Sequence, residues 1–176
     1  MSEDMERDPI YEAYLARQFE EGMALAQASD LLELMPSPVA PPHFIARYRC
    51  KGLIRARDGE ISEADRFEVG IWFPPTYLRR ADSFEVLRWF GPANVWHPNI
   101  SDKLPLICVG RLAPGTSLVD LLYQIFEIIT YHKYMPREDD ALNKAACAWA
   151  RRNQDRFPVD RRPLKRRKLD LEATRV

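Results

Sequence analysis

Trp96-His97-Pro98-Asn99-Ile100-Ser101-Asp102-Lys103-Leu104-Pro105-Leu106-Ile107-Cys108-Val109-Gly110-Arg111-Leu112 is the stretch that decides how this chain is read. Before it, apolar residues alternate as they do in strands; after it, they recur at helical spacing. Within it neither period holds, and polar side chains gather around one cysteine, Cys108. An aperiodic, polar segment between a sheet and a helix is where chemistry is sought first.

Upstream, Phe44, Ala46, Tyr48 and Cys50 form one apolar face, and Arg47, Arg49 and Lys51 form the other. A period of two predicts a strand with one buried face. Phe67, Val69, Ile71 and Phe73 repeat the pattern, and Phe84 to Phe90 repeats it more weakly. Asp58-Gly59 is a hairpin signal, because glycine accepts a positive φ. With a short fourth piece near Val95-Trp96, these strands predict an antiparallel meander with one face free for a helix. Near the N-terminus, Asp8 suits a helix cap and Pro9 the first helical position. Tyr11, Tyr14, Leu15, Phe19 and Met23 extend that helix, which Gly22 weakens enough to allow a bend or break. The run Pro36-Ser37-Pro38-Val39-Ala40-Pro41-Pro42 ends all helix.

Downstream, Leu118, Leu121, Leu122, Ile125, Ile128 and Ile129 share one helical face, opposite Asp120, Gln124 and Glu127. Each such aliphatic side chain contributes about 1.5–3 kcal/mol on full burial, so this helix is expected to cross the sheet. Leu142, Ala145, Ala146 and Trp149 mark another helix, ended by Phe157-Pro158. The fold class is therefore α/β in the α+β sense: an N-terminal helix, a four-stranded antiparallel sheet, a crossover helix and C-terminal helices. Residues 1–35 form the N-terminal helical segment, 36–158 the core, and 159–176 a basic tail expected to be disordered.

A chain of 176 residues, 46% of them hydrophobic, fits one domain of about 100–200 residues. Its 26 Lys and Arg balance 26 Asp and Glu, which argues against a nucleic-acid partner for the protein as a whole. That balance hides a polarity. Residues 1–34 hold nine acids and two bases, whereas residues 151–176 hold ten bases and four acids. Partner-facing ends and plain solvated surfaces both account for it, and the basic run Arg161 to Lys168 also fits nuclear targeting or a nucleic-acid contact. No apolar run approaches the ~18 residues of a membrane span. Met1-Ser2-Glu3-Asp4 lacks the apolar region of a secretory leader. Cys50, Cys108 and Cys147 are too few and too scattered for a disulfide framework, so a reduced, cytoplasmic setting is expected. No Cys/His pair has zinc spacing, and neither metal nor cofactor is expected.

The central segment resembles the ubiquitin-conjugating enzymes, whose hallmark is His-Pro-Asn, a short loop, and then Ile-Cys. Those residues are here His97-Pro98-Asn99 and Ile107-Cys108. Val69-Gly70-Ile71-Trp72-Phe73-Pro74 is similar to the family's second strand, and Asp139-Asp140-Ala141-Leu142-Asn143 to its Asp-Asp-Pro-Leu segment. The likeness runs from about Phe44 to Phe157, roughly two-thirds of the chain. It implies a UBC-like fold in which Cys108 takes a ubiquitin-like modifier from an activating enzyme as a thioester. Transfer to an amine of a target protein, normally lysine, follows, with ATP spent upstream. The resemblance assigns Asn99 as donor to the oxyanion, a type of group whose loss typically costs about 2.7–4 kcal/mol. It assigns Asp140 to orienting the lysine, and His97 and Pro98 to shaping the loop rather than to acid–base work.

The chain also departs from the family pattern. One extra residue separates Asn99 from Cys108. The Tyr-Pro-x-x-Pro-Pro signature is reduced to Tyr77, and Arg79 stands where many members offer a hydrophobe to ligases, which leaves a ligase partner open. Ala113-Pro114-Gly115-Thr116 replaces a longer, Trp-containing loop. Such changes resemble divergent bacterial members, some of which serve in antiphage defence.

Plainer readings stand beside these. Cys108 taken alone reads as a buried thiol, and Asp140 as a cap for the helix near Leu142. Cys50 and Cys147 read as core, and His43 and His132 as surface or loop residues. A UBC-fold binding module without catalysis is the alternative function. A cysteine hydrolase would need His97 as its base.

Overall fold

The computed structural model describes residues 8–166. Asp8 caps α1 (Pro9–Gln27), its carboxylate accepting from the Ile10 N–H at 3.0 Å. There follow β1 (Leu32–Pro36), β2 (Phe44–Tyr48), β3 (Gly52–Arg55), β4 (Ile61–Ala64) and β5 (Phe67–Ile71). Then come α2 (Ser83–Val86), β6 (Leu87–Gly91), α3 (Leu118–Ile129) and α4 (Lys144–Arg152). Strands β1, β2, β5 and β6 form, in that order, one fully antiparallel sheet. Strands β3 and β4 make a separate hairpin, turned by Asp58 and Gly59, whose φ is +90°. Among the described residues no helix is long and apolar enough to cross a membrane.

The expected fourth strand near Val95-Trp96 is corrected. Val95 makes only an isolated bridge to Ile54, and the fourth strand is β1, in the segment expected to be helical. Leu32 and Leu34 point from β1 into the core, and α1 has already ended at Gln27. Phe84 to Phe90 is not one strand either. Asp82 accepts from the Phe84 N–H at 2.8 Å and starts α2, so the strand begins only at Leu87.

All six aliphatic residues expected on the inner face of α3 are buried, and Phe126 joins them. Tyr48 of β2 donates its hydroxyl to the Leu122 carbonyl at 2.9 Å, tying α3 to the sheet. On α1, Gln18 is fully buried and its side-chain oxygen accepts from the Leu118 N–H at 2.8 Å. Gly22 does not break α1, which runs without interruption from Pro9 to Gln27. A Cβ there would lie 2.6 Å from Leu118 Cδ2 and 2.9 Å from Leu34 Cδ2, so glycine is what permits three elements to meet.

Helix α4 is capped by Asn143, which accepts from the Ala146 N–H at 2.9 Å. It buries Ala146, Cys147 and Ala150, while Ala145 is exposed. Residues 159–166 are not disordered. The Val159 N–H donates to the Thr130 carbonyl at 2.8 Å, and Leu164 is buried. Arg166 donates through its N–H to the Ala28 carbonyl and through its guanidinium to the Gln27 carbonyl, and pairs with Asp30 at 3.3 Å. This strap supplies the cation that the last turn of α1 itself lacks. The remainder of the basic run, from 167, lies outside the described residues.

Candidate active site

Between β6 and α3 the segment singled out above folds back on itself. Ile100 and Ile107, both fully buried, face each other across an antiparallel bridge, and the Ser101 N–H donates to the Leu106 carbonyl at 3.0 Å. Burying that isoleucine pair leaves 102–105 as an exposed tip and brings Asn99 opposite Cys108. The longer Asn99-to-Cys108 spacing thus closes as a hairpin whose ends pair.

Asn99 is held on every side. Its carbonyl accepts from the Cys108 N–H at 2.8 Å, and its side-chain Nδ2 donates to the Cys108 carbonyl at 2.9 Å. Its Oδ1 accepts from the Met135 N–H at 2.7 Å, and its own N–H donates to His97 Nδ1 at 3.0 Å. Cys108 carries a free thiol and is half-buried, while Cys50 and Cys147 are buried. The chain after Cys108 is fixed as well. Lys133 Nζ donates to the Val109 carbonyl at 3.2 Å, and Gly110 turns the backbone with a φ of +90°.

His97 is buried against the Tyr131 ring, with centroids 4.3 Å apart. Burial outweighs the pull of backbone groups at Lys133 and Ile128 and lowers its pKa to about 3. Its Nδ1 is occupied by the Asn99 N–H, and among the described residues no hydrogen bond joins its ring to Cys108, the contact a hydrolase's base requires. Pro98 contributes its carbonyl, which accepts from the N–H groups of Leu142 (2.9 Å) and Asn143 (3.2 Å).

Those two bonds dock the segment carrying Asp140 beside the hairpin. Asp140 lies in a 3-10 turn, Glu138–Asp140, with its carboxylate half-exposed and paired with Arg137 at 2.6 Å. It does not cap α4, since Asn143 does. Among the described residues it makes no hydrogen bond to Asn99 or Cys108. The structure therefore brings Cys108, Asn99, His97 and Pro98 into one unit and places Asp140 on a neighbouring turn. Sequence reasoning missed Met135 and Lys133. Met135 acts through a backbone N–H, which leaves no side-chain signature, and Lys133 reaches Val109 across 24 positions. Among the described residues no group of three or more His, Cys, Asp or Glu side chains is placed to hold a metal.

No family model matches the chain, and no curated protein matches it. In structure it is similar to the E2 domain of a Toxoplasma gondii ubiquitin conjugating enzyme, with a TM-score of 0.52. The chain has a UBC-like fold. The superposition covers 82% of this chain and 91% of that domain at 16% identity, so the backbone likeness extends well past the matching motifs. Within this UBC-like fold, the Cys108 hairpin occupies the connection from the last strand of the main sheet to the long buried helix.

Proposed function

We propose that the protein accepts a ubiquitin-like modifier on Cys108 and passes it to an amine. The observation that carries this reading is a free, only partly buried cysteine at the end of a hairpin pinned from both sides by Asn99. The Cys108 thiolate attacks the thioester carbonyl of the modifier on its activating enzyme, whose own thiol leaves. An amine, normally a lysine of a target protein, then attacks the new thioester, forming an amide and releasing Cys108 as thiol. Asn99 Nδ2 has one hydrogen beyond that given to the Cys108 carbonyl and is the proposed donor to the oxyanion. Asp140, once free of Arg137, is the proposed partner of the incoming ammonium. The proposed setting is the cytoplasm, in a bacterial conjugation system serving antiphage defence, supported by Arg79 and the short 113–116 loop.

One observation favours the second reading, a UBC-fold module that binds without catalysis. Asn99 Oδ1 and the Asp140 carboxylate are engaged by Met135 and Arg137, and neither residue hydrogen-bonds the thiol. Incubation with a candidate modifier, its activating enzyme and ATP separates the two. Conjugation gives a slower band on a non-reducing gel that reductant removes. Cys108→Ser replaces it with a reductant-resistant oxyester, and Cys108→Ala abolishes it. A band that survives Cys108→Ala but not loss of Cys50 and Cys147 overturns the assignment.

A further inference from the structure

Arg79, Arg80 and Arg111 line one open groove of about 600 Å3, between the loop before α2 and the loop after Cys108. All three are exposed. Among the described residues their guanidinium groups make neither an ion pair nor a hydrogen bond. Asp82 also lines the groove; its carboxylate caps the Phe84 N–H at 2.8 Å and, among the described residues, forms no ion pair with the arginines, so the lining sets three cations against one anion. In a chain of zero formal charge this is a local excess of positive charge. The same groove includes Leu112, Ala113 and Pro114, so a strip of apolar contact runs beside the cations.

We infer that this groove binds an acidic polypeptide segment of a partner protein, its Asp or Glu carboxylates meeting the three arginines. A guanidinium presents paired N–H donors in a planar fork that fits a carboxylate in bidentate fashion. The groove is open to solvent and its volume of about 600 Å3 has room for a short stretch of chain. A nucleic-acid strand fits it less well. Strand-binding grooves add aromatic rings on which bases stack, and no aromatic residue lines this one. The groove includes Gly110, two residues beyond Cys108, so an acidic segment seated there lies alongside the connection that leads from the thiol. The inference concerns binding and holds whether or not Cys108 carries a modifier.

Fluorescence anisotropy with a labelled decaglutamate peptide tests it on the full chain. Binding is expected at 50 mM salt and is expected to weaken steeply at 500 mM, as exposed pairs do. The triple variant Arg79→Glu, Arg80→Glu, Arg111→Glu is expected to lose at least about tenfold in affinity. Arg79→Gln with Arg111→Gln is expected to lose less, and serves if the triple variant does not fold. The double variant Arg57→Glu, Arg66→Glu, exposed elsewhere, is expected to bind as the parent does. Peptide binding unaffected by the groove variants overturns the inference. So does an oligothymidylate that binds the groove as tightly as the peptide, which would make it a general polyanion site. A gain of more than tenfold on neutralising Glu3, Asp4 and Glu6 also overturns it, since the occupant would then be the chain's own N-terminal segment.

Discussion

Asn99 and Cys108 hold each other through both main chain and side chain: the Cys108 N–H donates to the Asn99 carbonyl at 2.8 Å, and Asn99 Nδ2 donates to the Cys108 carbonyl at 2.9 Å. The amide proposed to serve the reaction is thus also the clasp that holds the backbone of the proposed nucleophile. Any substitution at Asn99 reads out on stability and on chemistry together.

Asn99→Ala strips Met135 of its acceptor and the Cys108 carbonyl of its donor. A loss of about 1–3 kcal/mol in stability is expected. Asn99→Asp keeps an acceptor for Met135 but sets a carboxylate against the Cys108 carbonyl, and should still be destabilised. Chemical denaturation of the two variants measures both. In a conjugation assay Asn99→Ala is expected to charge with modifier yet discharge onto free lysine roughly a hundredfold more slowly. An unchanged discharge rate would reduce Asn99 to the clasp alone.

Thiol accessibility separates the three cysteines. Burial pushes the Cys50 thiol far up its range and raises that of Cys147 as well, whereas Cys108 is only partly buried. Brief treatment of the native protein with iodoacetamide should add a single label, located by mass spectrometry at Cys108. Denatured protein should take three. Native labelling at Cys50 or Cys147 at a rate equal to that at Cys108 contradicts the packing described here.

The Arg137–Asp140 pair makes a kinetic prediction with an unusual sign. The pair is exposed, so breaking it should change stability by no more than about 0.5 kcal/mol. Arg137→Ala frees the carboxylate and is expected to raise the rate of discharge onto free lysine by about two- to fivefold, while Asp140→Asn lowers it. The double variant should match Asp140→Asn. An Arg137→Ala variant no faster than the parent removes Asp140 from the proposed reaction.

Acid stability is expected to report on Asp160. Burial raises its pKa, but the Arg162 side chain and the N–H groups of Lys51 and Arg162 outweigh that and hold it at about 2. The folded value lies below the ordinary 3.8, so the carboxylate contributes stability above about pH 4. That contribution, about 2 kcal/mol, is lost as pH falls from about 4 through about 2. Asp160→Asn should lower the melting temperature at pH 6, and the difference from the parent should shrink below pH 4.

Much of the architecture is visible in local pattern. Asp8-Pro9 marks the start of α1, the alternation of Phe44, Ala46 and Tyr48 marks β2, and the spacing from Leu118 to Ile129 marks α3. Each is a signal contained within a few turns or one strand. Strand β1 was hidden because only two inward leucines fit between the end of α1 and Pro36. Asp140 and Asn143, three positions apart, are both good caps in sequence, and the docking of Asn143 on Pro98 decides for Asn143. At the site, the hairpin bringing Asn99 to Cys108 is local and legible. The occupancy of Asn99 Oδ1 is not, since its partner lies 36 residues away.

The strap has a practical consequence for where this protein can be cut. A boundary drawn at Pro158, where composition turns basic, would discard Asp160, Leu164 and Arg166 together. The truncated product would expose the apolar seat of Leu164 and leave the Lys51 amide and the terminal carbonyls of α1 to water. Expression of such a fragment should yield a poorly soluble protein, and limited proteolysis of the intact chain should spare every bond before Arg166 in this stretch.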